Sequence, residues 1–400
     1  MALLPYSRFG IGELQTAATP RSASLGNTTL GLVGANETSS YNPASYINID
    51  SLTVGFDLSM RLQLARLTEI VDNKTYTSNS NHASVNTFNL CFPITSWVKS
   101  SFGLRPTSNV SYDVNRQIQD SSSAGDYNVQ HFGTGGLNDV YIGFALGYKF
   151  ISVGANFNYH FGYFQRHASL TLYDTLYAYA MTSGIYKTTE LQGFNVDYGM
   201  QLKFDMGKSY RLGFGFTYVP KYTLNADSKT EILATISSVA DTVSRELLSG
   251  KVEMPSSLGV GVSFAHVDRW MIIGEYRFYQ YSQYRDFGKA DPFLKNAYTC
   301  HLGAEIKGNR YAGDIFSQMD YRVGFRYGKD YVAYQNNNLL ESAITFGFGI
   351  PVRRSLSRID IGVEIGRKGN TGNGQIQENY GLITIGLAAF ETWFVRQKFR

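Results

Sequence analysis

From Leu52 onward the chain repeatedly shows runs of about ten residues in which large apolar side chains alternate with glycine, polar or charged ones, a period of two that predicts half-buried strands. In Ile359-Asp360-Ile361-Gly362-Val363-Glu364-Ile365-Gly366, four β-branched residues share one face while Asp360 and Glu364 share the other. Tyr321, Val323, Phe325 and Tyr327 oppose Arg322, Gly324, Arg326 and Gly328, and Leu212, Phe214, Phe216 and Tyr218 oppose Gly213, Gly215 and Thr217. The same pattern recurs at 140–150, 151–163, 194–204, 258–264, 298–306, 344–350 and 381–389. Short connections at 95–97, 148–150, 206–209, 266–269, 309–315 and 351–357 alternate with long polar ones at 69–81, 116–136, 164–190, 226–253, 285–296, 333–339 and 367–379. This ordering predicts an all-β chain, a transmembrane antiparallel β-barrel of about 14 strands with both termini on the short-turn side. A sandwich or propeller would also alternate, but its loop lengths would not segregate this way.

Composition agrees with strands. The 400 residues include 29 Tyr, 26 Phe and 40 Gly against 9 Pro and 3 Trp. A mean hydropathy of -0.20 is too polar for a helical membrane protein, and no apolar run reaches the length of a membrane-spanning helix. Phe390, Trp393 and Phe394 close the last strand as an interfacial aromatic girdle would. The first residues, Met1 to Arg8, carry no basic segment followed by an apolar one, so the expectation is a processed chain whose export signal has been removed. Cys91 and Cys300 fall on strands far apart in order, which argues against a disulfide framework. The net charge of +4 raises nucleic acid as a partner, but Pro351-Val352-Arg353-Arg354 and the tail Arg396 to Arg400 read as charged membrane-edge residues, and no nucleic-acid partner is expected.

Residues 1–48 do not alternate and are rich in Gly, Ser, Ala and Asn, so the chain divides into this segment and a barrel at 49–400. The segment contains Tyr6-Ser7-Arg8-Phe9-Gly10-Ile11-Gly12, Arg21-Ser22-Ala23-Ser24-Leu25-Gly26 and Asn42-Pro43-Ala44-Ser45-Tyr46 just ahead of the first strand. In these motifs, in that order, the chain resembles the FadL family of outer-membrane transporters, including the OmpP1/TodX-type proteins of Bacteroidota. The resemblance implies an N-terminal hatch inside the lumen, with Asn42, Pro43 and Ala44 in its gate motif. Glycines on the lumen faces fit such a plug, because they let another backbone approach closely.

No catalytic constellation is present. His160, His301 and Glu305 face the predicted lumen on strands too far apart for a metal site, Phe9-Gly10-Ile11-Gly12 lacks the context of a phosphate loop, and neither an enzyme nor a cofactor is expected. Asp57, Arg105, Glu275, Arg277, Arg322, Arg326, Asp360 and Glu364, with Asp197, Lys203 and Glu305, place both signs of charge in the lumen and predict ion-pair networks anchoring the hatch. The third long loop carries Leu172, Tyr173, Leu176, Tyr177 and Tyr179. The fourth carries Ile232, Leu233, Ile236 and Val239 among apolar residues at helical spacing, which predicts an amphipathic helix.

In FadL relatives these loops are thought to capture substrate, and a kink in the third strand opens a lateral exit. Pro106 in the third strand matches that kink, the alternative being that the strand ends there and a loop begins. The resemblance thus implies uptake of long-chain fatty acids or similar apolar molecules, captured at extracellular loops and released into outer-membrane lipid. The rival expectation is a non-transporting FadL-like barrel serving as an accessory subunit of an outer-membrane secretion or barrel-assembly complex, favoured by the charged lumen and by apolar loops that suit a protein partner.

Overall fold

A computed structural model of the protein describes residues 5–16, 19–118, 126–172, 181–236, 239–334, 337–352 and 355–393. Fourteen antiparallel strands close into a barrel. They are β1 (Thr53–Val71), β2 (Lys74–Pro93), β3 (Val98–Ile118), β4 (Tyr127–Tyr148), β5 (Ile151–Leu172) and β6 (Met181–Met206). Two interrupted strands follow, β7 (Tyr210–Val219 and Tyr222–Ile236) and β8 (Val239–Met254 and Ser257–His266). The circuit continues through β9 (Trp270–Tyr279), β10 (Ala297–Ile306), β11 (Asp320–Tyr334), β12 (Asn337–Pro351), β13 (Arg358–Lys368) and β14 (Gln377–Thr392). β14 pairs with β1 from Thr392↔Thr53 to Gln377↔Thr68, which closes the barrel. No helix among the described residues is long and apolar enough to cross a membrane.

The alternation read from sequence sorts the side chains as a lipid-facing barrel requires. Ile344, Phe346 and Phe348 of β12, and Ile359 and Ile365 of β13, stand exposed on the outside. Thr345, Asp360 and Glu364 between them are buried in the lumen. Trp97, Tyr148, Tyr210 and Trp393 mark the short-turn rim with exposed aromatic rings, the amphipathic placement of an interfacial girdle.

The long connections are mostly strand. The region 69–81 is a hairpin whose tight turn, Asp72-Asn73, has φ of 49° and 60°, the left-handed pair that two-residue hairpins require. The region 226–253, expected to be a helix, instead pairs with itself from Met254↔Tyr222 to Val239↔Ile236. Its first strand, Tyr222–Ile236, also pairs with β6 from Gln192↔Asn225 to Met181↔Ile236 and so lies between β6 and the second strand. β6 projects beyond the bilayer as an edge, and extending the ladder satisfies its main-chain groups, an outcome that overrides helical spacing of a few apolar side chains.

Prolines punctuate the wall. Pro220 and Pro255 separate the two halves of β7 and β8. At Pro106 the pairing of β3 with β4 shifts register, from Pro106↔Asn138 to Ser108↔Leu137. The kink expected at Pro106 is therefore a bulge within a continuing strand rather than its end.

Candidate functional site

The lumen is the site, and the N-terminal segment fills it. Helix α1 (Pro20–Ser24) starts with Pro20 at its first turn and Thr19 as cap, and all its residues are buried. A 3-10 turn at Pro43–Asn48 is capped by Asn42, whose side chain accepts from the Ala44 N–H at 3.2 Å. Asn42 Nδ2 donates to the carbonyls of Leu30 at 3.0 Å and Met200 at 3.4 Å, so one buried amide ties the motif to the hatch and to β6. Asn42 caps because its short side chain reaches back to the backbone, and Pro43 follows because the first position needs no N–H.

Glycines admit this segment. A Cβ on Gly215 of β7 would strike the Leu30 carbonyl, and one on Gly324 of β11 would strike the Gly26 amide. Backbone packs on backbone there, which only glycine allows.

Charge holds the segment in place. Arg21 of α1 pairs with Glu37 at 2.8 Å and with Glu305 of β10 at 2.6 Å. Glu305 pairs onward with Arg322 at 2.7 Å, Arg322 with Asp360 at 2.6 Å, and Asp360 with Arg358 at 2.7 Å. Burial alone would lower the Arg21 guanidinium, but Glu305 and Glu37 hold it well above its ordinary range. Arg105 bridges Asp139 and Asp197 at 2.9 Å each and donates to the Ser40 carbonyl at 2.7 Å. Glu275, paired with Arg277, accepts the backbone N–H groups of Thr29 and Leu30 at 2.7 and 2.8 Å. Arg326 pairs with Glu341 and Glu364, and Asn27 donates to Glu364 at 3.0 Å.

Of the sequence-picked charges, Asp57 and Lys203 make no ion pair among the described residues. Asp57 is half-buried on β1 beside Asn89. His301 contacts the Gly26 carbonyl at 2.6 Å and Glu305 is taken up by Arg21 and Arg322, while His160 lies against Asn195 and Tyr222.

Sequence reasoning missed the upper plug. Tyr6, Ile11, Phe9 and Leu14 join Val110, Tyr112, Leu137, Leu224 and Tyr331 in an apolar core at the long-loop end. Tyr6 is also tied to Ile376 by a hydroxyl-to-carbonyl bond of 3.0 Å. The first described residues therefore lie at the long-loop end, not at the short-turn side expected for both termini. The spacing of four apolar residues within an otherwise small-residue stretch was the available signal. Below them, Glu13 lies 3.5 Å from Lys368, which Asp330 already neutralises at 2.5 Å. Burial raises the Glu13 carboxyl above its ordinary range against the pull of Lys368.

Among the described residues, two cavities within the lumen measure about 110 and 180 Å³. Arg61, Arg326 and Lys368 line the first, and Arg105, Asp139, His160 and Asp197 line much of the second. Both are below the size of ordinary ligand pockets, roughly 300–1,000 Å³.

The proposed capture residues are distributed differently from a groove between two loops. Leu172 is half-buried on β5, Ile232 exposed and Leu233 half-buried on β7, and the Leu172, Met181 and Ile236 positions lie in one row across β5, β6 and β7. Val239 opens β8 opposite Ile236. These positions share one continuous sheet; Tyr173, Leu176, Tyr177 and Tyr179 lie outside the described residues.

Pro106 borders a break in the wall. The β2–β3 ladder runs only from Pro93↔Lys99 to Phe88↔Leu104, although both strands continue upward. Above it the hatch supplies Glu13↔Asn109 and Leu14↔Ser108 to β3, and the Gln15 amide donates to the Thr107 carbonyl at 3.0 Å.

The fold is that of hydrocarbon channels. The CymD monoaromatic hydrocarbon channel matches with a TM-score of 0.60 at 15% identity, covering 97% of this chain and all of its own. The Pseudomonas putida toluene transporter TodX matches at 0.61 and 14%, over 96% of this chain and 100% of its own. A Pseudomonas aeruginosa FadL homologue matches at 0.56 and 10%, over 94% and 98%. No curated protein matches the sequence. The FadL likeness thus holds at the level of fold, while the family model that matches the sequence is that of BamG, over residues 2–400. This chain, a FadL-type barrel whose lumen holds its own N-terminal segment, belongs to the BamG family.

Proposed function

We propose that this protein is a non-transporting FadL-like barrel that acts as an accessory subunit of an outer-membrane barrel-assembly or secretion complex, its long connections outside the cell and its short turns in the periplasm. The observation that carries this reading is the double seal. Buried ion pairs fix residues 20–37 in the lower lumen, and Tyr6, Phe9, Ile11 and Leu14 occupy the apolar upper lumen where a hydrophobic guest would have to sit. Opening the path means stripping Arg21 from two carboxylates, at roughly 3–5 kcal/mol for one broken buried pair, and exposing an apolar core. Membership of the BamG family favours the same reading. The division into a hatch at 1–48 and a barrel at 49–400 belongs to it.

Uptake of a hydrophobic compound is the second reading, favoured by the ladder that stops beside Pro106 and by the shared fold of the hydrocarbon channels. In it, the surface around Leu172, Ile232 and Leu233 receives the guest, and residues 42–44 shift to pass it. A cavity of 180 Å³ suits a single aromatic ring, but not a fatty acid unless the hatch moves.

Purification from native membranes in mild detergent, followed by mass spectrometry of co-purifying proteins and extracted small molecules, separates the two. The accessory reading expects a stoichiometric outer-membrane protein and an empty barrel. A bound apolar compound without a protein partner would overturn it.

A further inference from the structure

The break between β2 and β3 leaves the two strands in different states. β3 is covered, because Glu13, Leu14 and Gln15 pair with its edge at residues 107–109. β2 is not: from Asn81 to Val85 it pairs with β1, through Leu64↔Asn81, Leu62↔Ala83 and Met60↔Val85, and with no strand on its other side among the described residues. The hatch passes nearby, but its side-chain bonds go to Arg61 of β1, at 3.0 Å from Gln15 and 2.6 Å from the Thr16 carbonyl.

Height is what makes this edge informative. Met60 is 59% and Leu62 39% exposed on the outer face, and their β14 neighbours Ile385 and Ile383 continue the same apolar band. Val85, 55% exposed, lies in that row. The bare edge therefore sits at hydrocarbon level. Acyl chains offer no donors or acceptors, and an open sheet edge facing them is the arrangement transmembrane barrels avoid.

We propose that residues 81–85 of β2 form a docking edge, covered in the native membrane by an extended β-strand of a second outer-membrane barrel protein. The partner strand adds main-chain hydrogen bonds to β2 by edge augmentation and carries apolar side chains toward lipid, continuing the row of Leu62, Ala83 and Val85. A side chain or a lipid tail would satisfy few of these groups; a strand satisfies alternate N–H and C=O groups along its length. The inference rests on the accessory-subunit reading and names the contact that subunit makes.

The test uses the full chain in its native membrane. A photo-reactive residue replaces Ala83 or Val85, with Phe346 as control, since β12 is laddered to both neighbours. Cross-linked peptides are mapped by mass spectrometry, and amide exchange over 81–85 is compared between the native assembly and the isolated barrel. The expected result is cross-links from 83 and 85, but not 346, into a β-strand of another barrel, with exchange at least about tenfold slower in the assembly. Cross-links from 83 and 85 only to lipid or small apolar molecules, or equal exchange in both samples, would overturn the proposal. If a barrel partner co-purifies but cross-links equally at 346, the docking edge is wrong and the accessory role stands. If no barrel partner co-purifies, the accessory role itself falls.

Discussion

Replacing Arg21 with alanine tests whether ion pairs hold the hatch. Arg21 is 4% exposed and contacts Glu37 and Glu305, so its removal strands Glu37 with no cation of its own while Glu305 keeps Arg322. Breaking one buried pair costs about 3–5 kcal/mol, and the partner that Glu305 retains puts this site at the lower end, about 3 kcal/mol. At 1.4 kcal/mol per factor of ten, the population of hatch-released barrels rises roughly 100-fold. Tyr46 is fully buried inside the barrel, so chymotrypsin cleaves after it only when the hatch leaves. Where reclosure outpaces cleavage, the cleavage rate follows the open population and should rise by the same factor. Arg245→Ala is the control: it removes an exposed pair with Glu231, outside the lumen, and should leave the rate unchanged. An Arg21→Ala protein cut no faster than the parent would refute the claim that buried charge locks the hatch.

Three further outcomes follow from the same contacts. Gly215→Val places a side chain against the Leu30 carbonyl and should destabilise hatch docking by about 1–3 kcal/mol, read as faster cleavage after Tyr46. Asn42→Ala removes a cap and two hydrogen bonds to backbone carbonyls, and should raise the same rate by about tenfold. Glu13 is held above its ordinary 4.5, so the docked N-terminus binds its proton more tightly than the released one. The contribution of this group is full below pH about 4.5 and is lost as pH rises through the raised value. Cleavage near residue 13 should therefore accelerate with rising pH, and Glu13→Gln should flatten the profile.

The strands were legible because the outer face must be apolar and the lumen face need not be. Ile359 to Gly366 therefore announced β13 without reference to any other residue. The lumen charges were legible for the same reason: Asp360 and Glu364 stand alternate with lipid-facing isoleucines, and charge at those positions needs partners. Which partners they find was not legible, since Arg21 reaches Glu305 across the fold and no local pattern records that distance. The region 226–253 misled because its apolar residues fit a helical stripe as well as a strand with a bulge, which the structure has between Thr242 and Ser244. Only the waiting edge of β6 decides between them, and that is a tertiary fact. The β2 edge was invisible for a similar reason: Asn81 to Val85 alternates like any strand, and nothing in it says that its neighbour departs at Pro106.

The glycine contacts between wall and hatch also constrain the order of assembly. Leu25, Gly26, Leu30 and Gly31 touch the backbones of β7, β8, β10 and β11 without intervening side chains, so hatch and wall interlock at main-chain distance. The hatch precedes β1 in the chain, and the β14–β1 seam joins the last strand to the first. A hatch arriving after that seam would have to thread a lumen already lined by the ion pairs of Arg105, Arg277 and Arg322 and still reach main-chain contact with four strands. A wall that wraps around a segment already present meets no such barrier, and the N-terminal residues would then serve as a template for the barrel's interior.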